Sequence, residues 1–491
     1  MTALLASAQP RPNIIVMVAD DLGYGDLSCY GAQRVSTPTV DSLAARGVRM
    51  TNMHACASTS TPSRYALLTG CYPFRKSGTD VAAGNAGMII TPTQTTVADL
   101  LKRAGYATAA IGKWHLGLGS ATGRQDWNGQ LDQSPQDLGF DYHYLMAATA
   151  DRVPCVYVEN GRVVNHDPAA PISVSYRSNF EGEPTGKTHP QLLTKLKPSH
   201  GHDQSIVNGI SRIGYMKGGG KALWRDEDIS DSIMAHAIRF IARHKAEPYF
   251  LYLCTNDVHV PRMPHERYRG KSVMGLRGEA IMQFDDAVRQ LVSYLRQEGL
   301  DRNTLLILTS DNGPVLDDGY ADEAIPLAGD HQPGGPWRGG KYSAFEAGSR
   351  VPCIVYWPEA VTKGKRQDAL CSHIDLAANL AALVGVSTEG NEAPDSRNSL
   401  ATWLGRSAKP RDYAVSMASN RSLSLTTQRY KYIPPSKGGP LITWGPRIET
   451  GYSPEPQLYD LKHDAQEHHN MAGSKPHVLQ RLRRIMETLT R

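Results

Sequence analysis

The stretch Asn13-Ile-Ile-Val-Met-Val-Ala19, followed at once by Asp20 and Asp21, decides the fold. Seven uncharged residues make the length of one strand, and their apolar character does not alternate. A run of this kind is typical of a strand that is buried on both faces of a sheet. Such strands occur in α/β proteins, where helices cover a parallel sheet. The two carboxylates mark the carboxyl end of this strand.

Three further apolar runs of strand length lie at Ala107–Ile111, Pro248–Leu253 and Thr304–Thr309. Helical patterns separate them, among them a stripe of apolar residues three and four apart within 281–295. The alternation predicts an α/β fold with a large, mostly parallel sheet sandwiched by helices.

The length of 491 residues favours more than one domain. We predict a large domain at 12–405 and a C-terminal α+β subdomain at 406–491, which carries an antiparallel sheet and completes a cleft of the large domain. Near residue 405 the pattern changes to short strand candidates, and the chain finishes with an amphipathic helix over Val478–Leu489. Residues 150–230 are rich in Gly, Pro and His and predict a substrate-binding wall with little regular structure.

Composition excludes two classes of function. The net charge of +5 suits an anionic substrate, but without a block of Lys and Arg it argues against nucleic-acid binding. No uninterrupted apolar stretch is long enough for a membrane span. Residues 1–9 end in an Ala-x-Ala pattern, which we interpret as the truncated export signal of a periplasmic or secreted protein.

Polar residues follow each of the four predicted strands. One such Asp is more often a turn residue or a helix cap, but four groups together predict a site at the carboxyl edge of the sheet. The groups are Asp20 with Asp21, Lys113 with His115, Asp257 with His259, and Asp311 with Asn312. The first and last groups offer only oxygen ligands and therefore favour Ca²⁺, or alternatively Mg²⁺, over Zn²⁺.

The segment Ser60-Thr-Pro-Ser-Arg64 predicts the start of a helix, with Pro62 in its first turn. Ser60 would then lie at the helix N-terminus, where free N–H groups favour an anion. The segment resembles the maturation motif of type I sulfatases, Cys- or Ser-x-Pro-Ser-Arg followed by Leu-Thr-Gly. Further stretches are similar to landmarks of that family, in the same order: 18–26, 112–117, 258–261, 309–314, 338–341 and 458–470.

This resemblance implies an alkaline-phosphatase-like fold and hydrolysis of sulfate esters. It implies that Ser60 is oxidised to formylglycine and that Asp20, Asp21, residue 60, Asp311 and Asn312 surround the cation. It also implies catalytic roles for six residues. Ser60 provides the nucleophile, Arg64, Lys113 and Lys341 hold the nucleophile and the sulfate oxygens, His115 is the base, and His259 is the acid that protonates the leaving oxygen.

Serine at position 60 leaves two interpretations. Either the protein resembles the serine-type sulfatases of bacteria, which an anaerobic radical maturase converts, or this serine replaces a native cysteine. Cys56 cannot take the role, because it is not followed by x-Pro-x-Arg.

The long loops supply the predicted contacts to a sulfated saccharide: Asp151, Arg152, His200, His202, Asp330 and His331. Segments 150–161 and 207–215 are similar to bacterial sulfatases of host glycans, which favours 6-O-sulfated galactose or N-acetylgalactosamine of mucin or chondroitin. Two alternatives stay open. One is a phosphodiesterase or phosphonate monoester hydrolase of the same superfamily, and the other is a glycan-binding protein without catalysis.

Overall fold

The computed structural model describes residues 11–491, so the predicted export signal lies outside the described residues. The strands, in chain order, are β1 Asn13–Ala19, β2 Val48–His54, β3 Ala107–Lys113, β4 Tyr142–Met146, β5 Tyr157–Glu159, β6 Arg162–Val163, β7 Ser173–Ser175, β8 Ile206–Val207, β9 Ile210–Ser211, β10 Tyr215–Lys217, β11 Tyr249–Cys254, β12 Thr304–Ser310, β13 Arg350–Tyr356, β14 Lys365–Gln367, β15 Cys371–Ser372, β16 Ala414–Met417, β17 Leu423–Thr426, β18 Tyr430–Ile433 and β19 Gln457–Asp460. The α-helices are α1 Pro38–Arg46, α2 Ser60–Thr69, α3 Val97–Arg103, α4 Ile229–His244, α5 Gly275–Gln297, α6 Ala324–Ala328, α7 Leu376–Val384, α8 Leu400–Trp403 and α9 Pro476–Leu489.

One large sheet forms the centre of the molecule. Its order is β14-β2-β13-β12-β1-β11-β3-β4-β5-β6, and β15 also pairs with β2. The five central strands, from β12 to β4, are parallel. Antiparallel strands lie beside them, β13 next to β12 and β5 next to β4. The predicted α/β class with a mostly parallel sheet is confirmed, and the four apolar runs are β1, β3, β11 and β12.

The central strand β1 is buried along its whole length. Helices α1, α4 and α5 pack on one another, and so do α2, α3 and α7, and together the two groups flank the sheet. This cover explains why β1 is apolar on both faces rather than alternating.

The register places the carboxyl ends of the central strands level with one another. Ala19 of β1 pairs with Ser310 of β12, and Val18 pairs with Cys254 of β11. Asp20 then donates its backbone N–H to the Asp257 carbonyl at 2.9 Å. The polar residues that follow these strands therefore meet at one edge, as predicted.

A small antiparallel sheet, β16-β17-β18-β19, follows near the C-terminus, and α9 packs against β18. The segment 150–230, predicted to have little regular structure, contains the short strands β5 to β10. Among these, β7 pairs with β10 and β8 with β9. Within residues 11–491, no helix combines the length and the apolarity that crossing a bilayer requires.

A buried ion cluster joins the small sheet to the large one. Lys431 of β18 contacts a carboxylate oxygen of Glu346 at 3.0 Å, and Arg350 of β13 contacts the other oxygen at 3.0 Å. The side chains of Lys431 and Glu346 are fully buried. Burial acts to raise the pKa of Glu346, but Lys431 and Arg350 outweigh it and lower the pKa to about 2. The carboxylate therefore depends on these cations.

We expect Lys431→Met to lower the free energy of unfolding by about 3 kcal/mol, because it leaves a buried carboxylate without its main counter-charge. Urea denaturation followed by tryptophan fluorescence measures the change. Lys437→Met, at an exposed position four residues after β18, is the matched control and should change stability little. Equal losses in the two variants would contradict the role of the ion cluster.

Candidate active site

Ser60 lies at the centre of the polar cluster at the sheet edge. It is the first residue of α2, every residue of which is buried. Its hydroxyl oxygen accepts a hydrogen bond from Lys113 Nζ at 2.8 Å. The same hydroxyl can donate a hydrogen bond to Asp20 Oδ1 or to Asn312 Oδ1, each at 3.3 Å. The hydroxyl therefore touches the ends of β1, β3 and β12 at once.

The carboxylates and the amide bind one another across the strand ends. Asn312 Nδ2 donates to Asp21 Oδ1 at 2.8 Å, and the backbone N–H of Asp21 donates to Asp311 Oδ1 at 3.2 Å. Asp20 Oδ2 is buried and has no hydrogen-bond partner among the described residues. An orphaned buried carboxylate oxygen is costly unless a further group binds it.

Three buried cations face these carboxylates. Lys113 Nζ lies 2.6 Å from Asp20 Oδ1. Arg64 Nε donates to Asp311 Oδ2 at 3.0 Å. Lys341 Nζ lies 2.7 Å from Asp21 Oδ2. The chain thus brings together all the residues that were predicted around Ser60 on the cation side of the site.

Gly112 explains how Lys113 reaches the site. Its φ is +99°, and a Cβ there would lie 1.8 Å from the carbonyl oxygen of Cys254 in β11. Only glycine allows β3 to turn this close to its neighbour.

The charges of the cluster do not balance. Burial, with Asp311 and Asp21 beside it, raises the pKa of Asp20 to about 8, although Lys113 opposes the rise. For Asp311, burial also acts to raise the pKa, but Arg64 and Lys113 hold it below its ordinary value. Within the described chain, three cations face four carboxylates: Arg64, Lys113 and Lys341 against Asp20, Asp21, Asp311 and Asp318.

This excess of negative charge fits a divalent cation. Oxygens of Asp20 and Asp21 and a ring nitrogen of His259 lie within 4.8 Å of one another. With Asp311 and Asn312 the donors are mainly oxygen, the ligand type of hard cations. A bound divalent ion would also give the orphaned oxygen of Asp20 a partner and would favour the ionised form of that carboxylate.

Two histidines stand beside the cluster in defined orientations. His115 Nε2 lies 2.9 Å from the Ala82 carbonyl, and His259 Nδ1 lies 2.7 Å from the Val260 carbonyl. A carbonyl only accepts, so these nitrogens carry the protons of the neutral rings. The lone pairs are then at His115 Nδ1 and His259 Nε2, and the latter lies 3.7 Å from Asp21 Oδ2. Burial, together with Lys113 at His115 and Lys341 at His259, lowers both pKa values well below the ordinary range.

A cleft of about 470 Å³ opens at this edge of the sheet. Its wall contains four of the predicted saccharide contacts. His202 Nε2 lies 2.9 Å from Asp151 Oδ2, and Arg152 Nη1 lies 3.0 Å from Asp151 Oδ1. Predicted residues that line the cleft are Ser60, His115, Asp151, Arg152, His200, His202, His259 and Lys341.

The structure corrects the prediction for Asp330 and His331, which line a separate depression. His331 Nε2 lies 2.8 Å from Asp26 Oδ1, and Arg277 binds the same carboxylate. His331 therefore hydrogen-bonds to the buried ion pair of Asp26 and Arg277 instead of facing the cleft. Asp330 is exposed and pairs with Arg34 at 3.4 Å.

Asp318, Tyr342 and Trp444 are three of the cleft residues that were not predicted. Asp318 binds Lys341 Nζ at 2.7 Å and accepts a hydrogen bond from the Tyr342 hydroxyl at 2.8 Å. Trp444 comes from the loop between β18 and β19. The Asp-Asp-Gly context of Asp318 is typical of a turn, and an isolated aromatic in a loop has no periodicity, so neither gave a usable signal.

Comparison with known proteins gives consistent matches. A family model described as Sulfatase matches residues 12–386. An N-acetylgalactosamine-6-O-sulfatase of Bacteroides thetaiotaomicron is 50% identical over 479 residues, covering 98% of this chain and 93% of the relative. Human arylsulfatase A is 30% identical, covering 99% of this chain and 89% of the relative. A solved structure from work on glycosaminoglycan metabolism by Bacteroides thetaiotaomicron superposes with a TM-score of 0.96 at 50% identity, covering 98% of this chain and 99% of that one.

We expect Ca²⁺ to raise the melting temperature, because an ion that binds only the folded state stabilises it by about 2.7 kcal/mol at 100 times its dissociation constant. Asp21→Asn should lose most of this shift, whereas Asp330→Asn, in the separate depression, should keep it. Differential scanning fluorimetry with Ca²⁺, Mg²⁺ and a chelator measures it. A shift of the same size in Asp21→Asn would place the ion elsewhere.

Proposed function

The chain belongs to the sulfatase family, and on that premise we propose that it removes the 6-O-sulfate of N-acetylgalactosamine in a host glycan such as chondroitin or mucin. The family model and the relatives agree with a sulfatase that acts on a carbohydrate. They give no support to the alternative of a phosphodiesterase. The observation that carries the finer proposal is the 50% identity, over 98% of this chain, to an N-acetylgalactosamine-6-O-sulfatase.

Position 60 needs a chemical change before it can act, since a serine hydroxyl is a weak nucleophile. We propose that an anaerobic radical maturase oxidises Ser60 to formylglycine. When present, the hydrated formylglycine supplies the oxygen nucleophile that attacks sulfur, and a bound Ca²⁺ or Mg²⁺ supplies positive charge to the sulfate oxygens. The geometry around Ser60 supports this, because its oxygen already contacts Lys113 at 2.8 Å.

Three positively charged side chains stabilise negative charge at the site. Lys113 stands beside the oxygen at position 60 and stabilises charge that develops there. Lys341 lines the cleft, where it can bind a sulfate oxygen. Arg64 pairs with Asp311 and keeps that carboxylate ionised as a ligand for a cation. Fixed charges in a buried site need no rearrangement as the transition state forms.

His259 is placed to protonate the leaving sugar oxygen. Its Nε2 is the nitrogen not bound to a carbonyl, and the residue lines the cleft. Burial, and then Lys341, lower the pKa of His259. A sulfate ester bound against Lys341 would neutralise that cation and so favour the protonated ring. His115, with its lone pair at Nδ1, is placed to accept the proton whose removal later releases sulfate.

The rest of the proposal concerns the substrate and its surroundings. Asp151, Arg152, His200 and His202 line the cleft and offer hydrogen-bonding groups to sugar hydroxyls. We further propose that 12–405 form the catalytic domain and 406–491 the subdomain that completes the cleft, since Trp444 reaches it. A periplasmic or secreted location suits a large anionic glycan, which does not cross a bilayer.

Co-expression with an anaerobic radical maturase should remove two hydrogens from the Ser60 peptide, seen by mass spectrometry. Turnover of 6-sulfated N-acetylgalactosamine should rise with the converted fraction, and Ser60→Ala should have none. If sulfated sugars bind but conversion and turnover never occur, the protein is a glycan-binding protein. Faster turnover of an aryl phosphate diester than of an aryl sulfate would instead favour the phosphodiesterase.

We expect His259→Gln to lower kcat for the sulfated sugar about 10²–10⁴-fold, because an alkoxide leaves poorly without a proton. The loss with 4-nitrophenyl sulfate should be much smaller, since its phenolate leaves unprotonated. Steady-state kinetics of the matured enzyme on both substrates measure the difference. His477→Gln, at an exposed position of α9, is the control. Equal losses on the two substrates would contradict the acid role.

A further inference from the structure

Trp444 stands out at the mouth of the cleft. Its side chain is 51% exposed, although residues at the floor such as Ser60 and His259 are at most 5% exposed. Burying an indole would normally stabilise the fold, so a large exposed aromatic on a binding cleft suggests a surface kept for a ligand.

The chain holds Trp444 in place from both sides. Its ring lies 5.1 Å from the ring of Tyr342 in an edge-on arrangement, and 5.9 Å from that of His200. The next residue, Gly445, packs so closely on His200 that a Cβ there would lie 2.0 Å from its Nε2. A side chain at 445 would therefore displace the ring of His200, which neighbours the indole.

The loop that carries Trp444 is tied to the segment that carries Lys341. Ala344 donates its backbone N–H to the Thr450 carbonyl at 2.8 Å, and the Ser343 hydroxyl donates to the Glu449 carbonyl at 2.6 Å. Arg338 Nε contacts Glu449 Oε2 at 2.8 Å. These bonds hold the base of the loop without involving the side chain of Trp444, so the loop stays in place when that side chain is changed.

We propose that Trp444 is a platform for a second sugar ring, joined to the sulfated sugar whose ester lies at Ser60. This inference rests on the proposed function and deepens it. The cleft of about 470 Å³ is in the range that holds ligands larger than one sugar ring. The apolar C–H face of a sugar packs on an indole, and burial of both surfaces favours binding. The enzyme is therefore selective for the sulfated end of an oligosaccharide over the free monosaccharide.

The test compares 6-sulfated N-acetylgalactosamine with a trisaccharide that carries this sugar at its non-reducing end. Isothermal titration of the unconverted Ser60 protein gives dissociation constants without turnover. We expect the trisaccharide to bind about tenfold more tightly, as loss of one well-buried apolar contact corresponds to about this factor. Trp444→Ala should abolish the advantage and leave the monosaccharide unchanged, and Trp444→Phe should retain part of it.

Leu441→Ala is the matched control, since Leu441 is 39% exposed on the same loop but is not among the residues that line the cleft. In the matured enzyme, Trp444→Ala should raise KM for the trisaccharide by the same factor at unchanged kcat. Equal weakening of both sugars, or of neither, would overturn the platform while leaving the proposed function intact. If the wild-type protein binds neither sugar, the proposed function itself fails, and the platform with it.

Discussion

Backbone pairing of β1 with β11 and β12 is the constraint on which the site depends. Asp20 donates its N–H to the Asp257 carbonyl at 2.9 Å, and Asp311 donates to the Ala19 carbonyl at 3.1 Å. These bonds hold the carboxyl ends of three parallel strands level. The polar residues that follow the strands therefore lie at the same edge of the sheet. A slip of one residue in either pairing would turn these side chains to the other face of the sheet and separate the carboxylates from Ser60.

The same pairing forces like charges together, and the surrounding cations limit the cost. Asp20 keeps a raised pKa even with Lys113 at 2.6 Å, because burial, with Asp311 and Asp21 close by, outweighs the effect of that cation. Buried like charges contribute little to the stability of the fold. Together with the neighbouring cations, they give the site groups that can bind a metal ion and an anionic ester. Elsewhere the protein uses balanced buried pairs, such as Lys431 with Glu346, to join its two sheets.

The parts of the site that could be predicted from sequence are those next to regular strands. The apolar run Asn13–Ala19 predicts a buried strand from its own composition. The position of the residue that follows such a strand is fixed by where the strand ends. Loop residues lack that constraint. Asp151 and His331 both lie in long loops, yet one lines the cleft and the other turns to Asp26, because distant residues such as Arg277 complete a buried pair there. Asp318 and Trp444 also lie in loops, so their positions in the cleft could not be predicted from the sequence. Strands of two or three residues, such as β8, are too short to show a periodic pattern.

The burial of α2 has a consequence for the timing of activation. Ser60 is 3% exposed in the folded chain and sits against the ends of three strands. Under the proposed maturation, the oxidising enzyme would meet this side chain in the folded protein only at the bottom of a cleft of about 470 Å³. Before folding, the same side chain would lie on an open chain and would be easier to reach. Conversion at that stage would compete with the collapse of the sheet, and a slowly folding variant would give the maturase more time.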